Sequence, residues 1–546
     1  MSRRSDRGSR RRIAARRSQA VSPQHRYLDT EFRHPVFAVR TEDSSITPAS
    51  TASKRAARCA SRSSPPARRG LKRSTGAPTA LRGYRSGLAG GRMALGAGES
   101  NAGPTAPRVT VVGAGLAGCE AAWQAARRGL DVTLYEMKPV RFSPAHESEA
   151  FAELVCSNSL RSNIRVNAVG LLKEEMRRLG SLVIAAADES AVPAGRALAV
   201  DRNAFSRRIT ETIESHPRIE IRRELVERIP TEGRVILATG PLTASELARD
   251  LKRLLGDEQL YFYDALSPIV HADSIDYEVA FRASRYDEGE GDYLNIPLSE
   301  DEYFDFVKAL VKAETVPLHP FEAKLYFEGC LPLEEMARRG EKTLAFGPLK
   351  PVGLRDPRSG QRPYAVLQLR QEDKRGVLYN LVGCQTKLRI AEQQRIFRSL
   401  PGLSEAVFAR YGSVHRNTYV NAPKRLRRTL EVRVRPGLYV AGQMAGVEGY
   451  VESAALGFLA ALNVVFEARG RAPMLPDVAT AHGALLHYLS DADSRNFQPM
   501  NVNFGLFPPI EGLPRRVRRR EKCERLAARA LEALAPYQGE TTELLE

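Results

Sequence analysis

The chain has 546 residues, which at roughly 150 residues each suggests about three domains. Its hydrophobic fraction of 43% is sufficient for large buried cores. Its formal net charge is +18, yet residues 1–107 hold 22 Lys and Arg against 6 Asp and Glu, and the other 439 residues hold 60 against 58. The basic excess is therefore confined to one segment and does not describe the whole protein.

The cysteine pattern argues against a zinc site or a disulfide framework. The six cysteines have no Cys-x-x-Cys pair and lie at positions 59, 119, 156, 330, 384 and 523. This favours a reducing, cytoplasmic location, and we expect no bound metal. No signal-peptide-like apolar region is apparent, and the longest apolar run, Ala454 to Phe466, is too short to span a bilayer.

The basic segment 1–107 is rich in Arg, Ser, Pro, Ala and Gly, with little apolar periodicity, so we expect it to be disordered. Three explanations fit: an arm that binds nucleic acid, an organelle transit peptide, or sequence translated upstream of the true start. We favour the third, because Met93 opens a short lead into the first strand.

A strand, a tight turn, a helix and a second strand follow within about 30 residues. The strand 108–112 leads into Gly113-Ala114-Gly115-Leu116-Ala117-Gly118, the helix ends near Gly129, and the second strand ends at Glu136. In such a motif the first glycine permits the turn, the second lets backbone approach a pyrophosphate, and the third allows close helix packing. The free N–H groups of the helix would face the phosphates, and Glu136 would bind an adenosine ribose. This context predicts a dinucleotide site.

Later segments extend the pattern. We expect a helix at 166–180, a strand at 218–223, and a buried strand that ends in Ala-Thr-Gly240. Residues 241–420 break the alternation and are interpreted as an inserted α+β domain. A strand into Gly442 and a small-residue helix from Glu452 then resume it, and the last 70 residues are expected to be mainly helical. The predicted fold is α/β: a Rossmann-type FAD-binding domain of glutathione-reductase type, formed by 108–240 and 421–546.

Two cysteines stand out by context. Cys156 lies among Ser157, Asn158 and Ser159, and Cys330 lies between Gly329 and a nearby proline, in what we expect to be an exposed turn. A reactive thiol needs partial exposure and a stabilised thiolate, whereas free cysteines are commonly small buried hydrophobes. Both interpretations stay open for these two, while Cys119 and Cys384 are expected to pack in cores and Cys59 and Cys523 to lie in mobile ends.

The chain resembles the bacterial folate- and FAD-dependent tRNA (uracil-5-)-methyltransferases, the TrmFO family. The resemblance runs from about Val109 to Pro509. It rests on long motifs at 111–118, 151–162, 326–332, 381–388, 410–418, 441–455 and 496–505. Cys384 stands where the family pattern has an aromatic residue, which supports a packing role for it.

The resemblance implies methylation of a T-loop uridine of tRNA to ribothymidine. The one-carbon unit would come from methylenetetrahydrofolate, and electrons from NAD(P)H through FAD. It places Gly113 to Gly118 at FAD, and Cys156 and Cys330 near the flavin and the uracil. It assigns Cys330 as nucleophile and Cys156 as base or flavin-side group, although the reverse assignment stays open.

Because the folded core is nearly neutral, tRNA contacts must come from local basic patches. Candidates are residues 424–428 and 515–520, and a plain solvated face is the alternative for each. His415 is a candidate contact to folate or RNA, or else an ordinary hydrogen-bonded histidine.

Three other functions compete with this expectation. A flavin disulfide reductase would need two neighbouring cysteines after the first strand, and none exist. A related flavoprotein family that modifies wobble uridines usually has a larger helical C-terminal region. A non-catalytic nucleic-acid-binding scaffold would depend on the basic segment alone.

Overall fold

The protein is represented by a computed structural model that describes residues 106–256, 260–285, 291–317, 326, 331–512 and 517–546. Cys330 and nearly all of the segment 1–107 lie outside the described residues. The strands are β1 (Arg108–Val112), β2 (Asp131–Tyr135), β3 (Ser159–Ser162), β4 (Ala191–Val192), β5 (Ala197–Val200), β6 (Ile219–Arg222), β7 (Arg234–Leu237), β8 (Leu260–Ala265), β9 (Ile269–His271), β10 (Phe281–Ala283), β11 (Tyr293–Leu298), β12 (Ala365–Gln371), β13 (Leu378–Leu381), β14 (Phe408–Arg410), β15 (Val414–Tyr419) and β16 (Leu438–Val440). The α-helices are α1 (Leu116–Ala126), α2 (Ala168–Arg178), α3 (Leu182–Glu189), α4 (Arg202–Glu214), α5 (Ser245–Leu255), α6 (Glu300–Lys312), α7 (Leu333–Arg338), α8 (Thr343–Phe346), α9 (Ile390–Phe397), α10 (Ala422–Arg425), α11 (Tyr450–Ala468), α12 (Ala481–Asp491) and α13 (Arg519–Glu543).

A five-stranded parallel sheet forms the centre of the first core. Its strand order is β16-β7-β1-β2-β6, and every neighbouring pair in it is parallel. Val109, Val111 and Val112 of β1 are all buried, as expected for a strand covered by helices on both faces. The chain leaves β1 towards β2 on one side and returns through β7 on the other. The crevice at the carboxyl ends of β1 and β7 is therefore where this type of sheet binds ligands. The α/β Rossmann-type prediction is confirmed.

The inserted segment has its own sheet and its own core. The sheet has the order β10-β11-β12-β13-β9-β14 and is antiparallel. All seven residues of β12 are buried. A separate cluster of buried hydrophobic side chains, between Val270 and Ala406, packs this sheet against α6, α7 and α9. A two-stranded ribbon of β8 and β15 carries the chain into and out of this segment.

The first hydrophobic cluster includes Leu247, Leu251 and Leu255 of α5. The next residue along the chain that belongs to it is Tyr419. The first core therefore extends past residue 240, where the sequence suggested a boundary. We propose two domains on this basis, with the insertion starting after α5 and ending within β15.

The helix α11 is the one described helix that is long and apolar enough to cross a membrane, with a mean hydropathy of 1.5. Its apolar stretch is 83% buried within the protein. A Cβ on Gly457 would lie 2.1 Å from the carbonyl oxygen of Ala117, so the backbones of α11 and α1 approach closely. Packing in the core accounts for the apolar composition of α11.

The C-terminal helix α13 docks on the first core. Arg128 Nη2 donates to the carbonyl of Thr541 at 3.0 Å, and Arg469 Nη2 donates to the carbonyl of Leu544 at 2.7 Å. Cys523, which was expected in a mobile end, lies in this helix, so that expectation was wrong.

Candidate active site

The glycine turn after β1 has the geometry that its sequence predicts. Gly113 adopts φ +99°, and a Cβ there would lie 2.7 Å from the carbonyl oxygen of Ala238. A Cβ on Gly118 would lie 1.7 Å from the carbonyl oxygen of Gly113. Both positions therefore require glycine, the first for the backbone conformation and the second for the close approach of α1 to the end of β1.

Gly115 differs from these two because a Cβ there would meet no atom within 4 Å. It is the N-cap residue of α1, and because it has no side chain, it cannot cap the first N–H groups of the helix. The first N–H groups of any helix lack partners within the helix and carry partial positive charge. The turn therefore presents free donors to an open space, as an anion site requires.

Glu136 ties the second strand to this turn. Its Oε2 accepts the N–H of Ala114 at 2.8 Å, and its Oε1 accepts the N–H of Lys138 at 3.0 Å. Each carboxylate oxygen has a further lone pair that could accept a hydroxyl proton. The residue is therefore fixed in place with acceptor capacity remaining.

A second glycine-containing turn follows β16. Gly442 adopts φ +74°, and a Cβ there would lie 2.9 Å from Cβ of Ala117. The chain continues through a short 3-10 helix to Gly449, the N-cap residue that precedes α11. This turn is thus brought against the first turn of α1, from more than 300 residues away in sequence.

The loop that carries Cys156 is held by side chains from distant elements. The Cys156 N–H donates to Tyr450 Oη at 2.7 Å. Its carbonyl oxygen accepts Nη2 of Arg410 at 3.1 Å and Nη2 of Arg202 at 3.3 Å. Arg202 also forms an ion pair with Glu372. Since Cys156 is only half-buried, its thiol combines a fixed backbone with partial exposure.

The next two residues of this loop are held by the inserted segment. Arg370 Nη2 donates to Ser157 Oγ at 2.7 Å, and its Nε donates to Asn158 Oδ1 at 2.8 Å. Asn158 Nδ2 in turn donates to the carbonyls of Val200 and Gln371, each at 2.9 Å. The loop therefore lies between the two cores and is bonded to both.

Several titratable groups face this loop. Burial and the charges of Asp264 and Cys156 raise the pKa of the Glu448 carboxyl well above its usual value, which favours its protonated form. Burial and the charge of Cys156 also raise the pKa of the Tyr450 hydroxyl. Burial and the neighbouring Arg202 lower the pKa of Arg410. Burial alone would lower the pKa of Arg202, but the charge and the hydrogen bond of Glu372 together have the larger effect, and the pKa is raised.

Because Cys330 is outside the described residues, the structure does not place it relative to Cys156. The described residues near it in sequence are well packed. Tyr326 Oη accepts a hydrogen bond from Lys387 Nζ at 2.8 Å, and Leu331 is buried.

Two other thiols lie in cores, as predicted. Cys119 is fully buried and its Sγ donates to the carbonyl of Ala114 at 3.2 Å. Cys384 is fully buried in the second cluster. Burial raises the pKa of both thiols far above the usual value, so neither suits a reactive role.

The remaining candidates are only partly described. His415 Nε2 lies 2.9 Å from Ser413 Oγ, and burial, with Arg410 and His146, lowers the pKa of His415. In the patch 424–428, Arg427 pairs with Glu431 at 3.1 Å. In the patch 515–520, Arg520 pairs with Glu524 at 2.9 Å, and residues 515 and 516 are outside the described ranges. The described residues contain no group of three or more His, Cys, Asp or Glu that could hold a metal ion.

Sequence reasoning missed Arg202, Arg410 and Glu448. Arg410 lies in the motif 410–418 and Glu448 in the motif 441–455, but each of the three residues is 46 or more residues from Cys156 in sequence, so nothing local indicates that they meet its loop. Tyr450 falls within the motif 441–455, yet nothing in that motif indicates that its hydroxyl bonds the Cys156 backbone.

A family model and several named proteins match most of the chain. The family model described as glucose inhibited division protein A matches residues 108–472. A methylenetetrahydrofolate–tRNA-(uracil-5-)-methyltransferase TrmFO of Syntrophus aciditrophicus is 55% identical over 435 residues, covering 80% of this chain and 98% of that protein. The proteins of the same name from Geobacter sulfurreducens and Desulforudis audaxviator are each 58% identical, over 78% and 80% of this chain and 98% and 99% of theirs.

Among solved structures, GidA of Aquifex aeolicus in its form II crystal matches with a TM-score of 0.58 at 17% identity. The match covers 81% of this chain and 74% of that one, and at this identity it shows the fold alone. The identity to the three TrmFO proteins extends over almost their full lengths. The chain therefore belongs to the family of methylenetetrahydrofolate–tRNA-(uracil-5-)-methyltransferases TrmFO.

Proposed function

We propose that this protein transfers the one-carbon unit of methylenetetrahydrofolate to C5 of a uridine in tRNA. The observation that carries the proposal is the identity of 55–58% to proteins of that name over 98% or more of their length. We further propose that the target is the T-loop uridine, that the product is ribothymidine, and that NAD(P)H supplies the electrons.

The described residues fit FAD. Gly113 and Gly118 hold the turn, Gly115 leaves the helix N-terminus open, and Glu136 keeps acceptor capacity for a ribose. We propose that Ala114, Leu116, Ala117 and Gly442 also line the FAD site. When bound, FAD would supply the hydride that reduces the transferred methylene to a methyl group.

The chain must make uracil C5 nucleophilic, because that carbon is unreactive in the free base. We propose that the Cys330 thiolate adds to C6, which moves electron density to C5 as an enolate. C5 then attacks the electrophilic methylene carbon of the folate. Once C5 has lost its proton, the bond from that carbon to the tetrahydrofolate nitrogen breaks, the nitrogen keeps the electron pair, and an exocyclic methylene remains on C5 for reduction. The bond from sulfur to C6 must break later, after C5 has lost its proton.

Cys156 is proposed as the base that removes the C5 proton. Hydrogen bonds hold its backbone at both polar atoms, and the residue is half-buried, which meets the requirement of partial exposure for a reactive thiol. The reverse assignment of the two cysteines is the alternative, and the experiment below separates them.

Access to the uridine requires that the base leave the folded tRNA elbow. Binding to phosphates would come from the basic side chains of 424–428 and 515–520, and would weaken as salt increases. His415, half-buried beside Arg410, is a candidate contact to the folate ring.

The direct test is incubation of the purified protein with undermodified tRNA, methylenetetrahydrofolate and NADPH. We expect 5-methyluridine in digested tRNA, detected by mass spectrometry. Cys330→Ala should form none while FAD stays bound. Cys523→Ala, which removes a thiol from the terminal helix α13, should keep full activity as the matched control. Absence of 5-methyluridine with the flavin-loaded wild type would refute the function.

The two cysteine roles are separated by trapping the covalent complex of enzyme and tRNA. A variant that lacks the nucleophile forms no complex stable to denaturation. A variant that lacks the base accumulates it, since elimination cannot follow until C5 loses its proton. Accumulation in Cys330→Ala rather than Cys156→Ala would establish the reverse assignment.

A further inference from the structure

The backbone of Cys156 is held by side chains at both of its polar atoms. Its N–H donates to Tyr450 Oη at 2.7 Å, and its carbonyl oxygen accepts Nη2 of Arg410 at 3.1 Å and Nη2 of Arg202 at 3.3 Å. The strand β3 begins only at Ser159. The conformation of this loop therefore depends on groups that are remote in sequence.

Arg202 and Arg410 each hold two carbonyls of this loop: Arg202 donates to those of Leu154 and Cys156, and Arg410 donates to the consecutive pair, from the inserted segment. Arg410 Nη1 donates to the carbonyl of Val155 at 3.0 Å while its Nη2 donates to that of Cys156. The planar guanidinium makes such a two-point contact in one fixed orientation, which an ammonium group cannot reproduce. Arg410 lies at the end of β14, where the register with β9 is shifted, so this contact comes from the inserted domain.

The alternative is that Arg410 only joins the two cores. Arg370 already joins them, through the side chains of Ser157 and Asn158. The contacts of Arg410 differ, since they fall on the main chain of the thiol-bearing residue and of the residue before it. Burial of this guanidinium is also costly, because its Nε is buried and has no hydrogen-bond partner among the described residues. An apolar side chain would join two cores at lower cost.

We propose that Arg410 is a positioning residue, which fixes the Cys156 thiol for proton transfer by holding the carbonyl groups of Val155 and Cys156. The inference rests on the proposed function of Cys156. It adds that the insertion supplies the geometry of a thiol that belongs to the FAD-binding domain. A misplacement of about 1 Å in a reacting group can lower a rate by about 100-fold.

The test compares Arg410→Ala and Arg410→Lys with Arg398→Ala. Arg398 is a matched control, because its Nε and Nη2 also donate to a backbone carbonyl, that of Ala406, at 3.0 and 2.9 Å within the same domain. Two readouts are used: amide hydrogen exchange at residues 155–158, and kcat and KM for methylation of tRNA. Methylguanidine is added to each variant as a replacement for the missing group.

In Arg410→Ala we expect faster exchange at 155–158, a kcat lowered by about 100-fold, and a KM for tRNA within about twofold of wild type. Methylguanidine should restore part of that kcat. Arg410→Lys should lose about tenfold in kcat, since an ammonium can hold one carbonyl but not two. Arg398→Ala should match wild type in both readouts and show no rescue.

Unchanged exchange at 155–158, or a loss confined to KM, would overturn the proposal. If Arg410→Ala does not fold, Arg410→Lys decides by the same two readouts. Failure of the proposed function is recognised separately, because the wild type would then form no 5-methyluridine. Amide hydrogen exchange at residues 155–158 would still show whether Arg410 holds the loop.

Discussion

Lys173 on α2 is fully buried, and replacing it with methionine should stabilise the protein. Its Nζ donates to the carbonyl of Leu160 at 2.7 Å. Burial, with the charge of Arg161, lowers its pKa from 10.5 to about 7. Between those values the folded state binds fewer protons than the unfolded state, so stability rises with pH across that window. Below about pH 7 the folded protein bears the full cost of burying the charge, about 5 kcal/mol at about 1.36 kcal/mol for each pKa unit.

Lys173→Met removes that cost and retains the length of the side chain. It also leaves the carbonyl of Leu160 without its donor, which costs about 1–3 kcal/mol. We therefore expect the variant to be more stable than wild type by about 2–4 kcal/mol at pH 7. Raising the pH from 7 to 9 recovers about 2 kcal/mol in the wild type but none in the variant, so the difference should shrink by that amount.

The assay is urea unfolding of the flavin-loaded protein at pH 7 and pH 9. The chain has one tryptophan, Trp123 on α1, and its fluorescence reports the first core. The control is Lys308→Met on α6, whose side chain is 63% exposed beside Asp305 and which should give the same small effect at both pH values. A Lys173→Met variant that is no more stable than wild type at pH 7, or a difference that does not change by pH 9, would refute the reasoning.

The other predictions concern the cofactor turn and the thiols. Gly115→Ala should fold normally but lose flavin absorbance, since its methyl group would fill the open space before α1. Gly118→Ala should instead lower the unfolding temperature, because its methyl group would meet the Gly113 carbonyl. Equal flavin content in Gly115→Ala and wild type would contradict the proposed site. Iodoacetamide at neutral pH should label Cys156 in the folded protein and spare the buried Cys384. Peptide mass spectrometry checks this, and equal labelling of the two would show that burial does not control their reactivity.

The turn at Gly113–Gly118 could be predicted from the sequence because the residues that determine it are neighbours in the chain. A strand, three glycines and a helix fall within about 20 residues, and close backbone contacts require glycine at positions 113 and 118. The position of Glu136 could be predicted for the same reason, since it directly follows the adjacent parallel strand β2.

The environment of Cys156 could not be predicted in this way. Arg202, Arg370 and Arg410 reach the loop from separate elements, across as many as 255 residues, and none belongs to a periodic pattern. An arginine that donates to a backbone carbonyl looks in sequence like an arginine on a solvated face. Only the packing of the insertion against the first core shows which arginines bind the loop and which lie on a solvated face.

The pairing of β16 with β7 has a consequence for synthesis of the chain. These neighbours in the parallel sheet are separated by the whole insertion, since β7 ends at Leu237 and β16 begins at Leu438. At about 5–20 residues per second, the ribosome needs roughly 10–40 s to make the intervening residues. During that time β7 has an unpaired edge, the kind of surface that promotes aggregation. The newly made protein should therefore be most vulnerable to aggregation, and most dependent on chaperones, in the interval before β16 emerges.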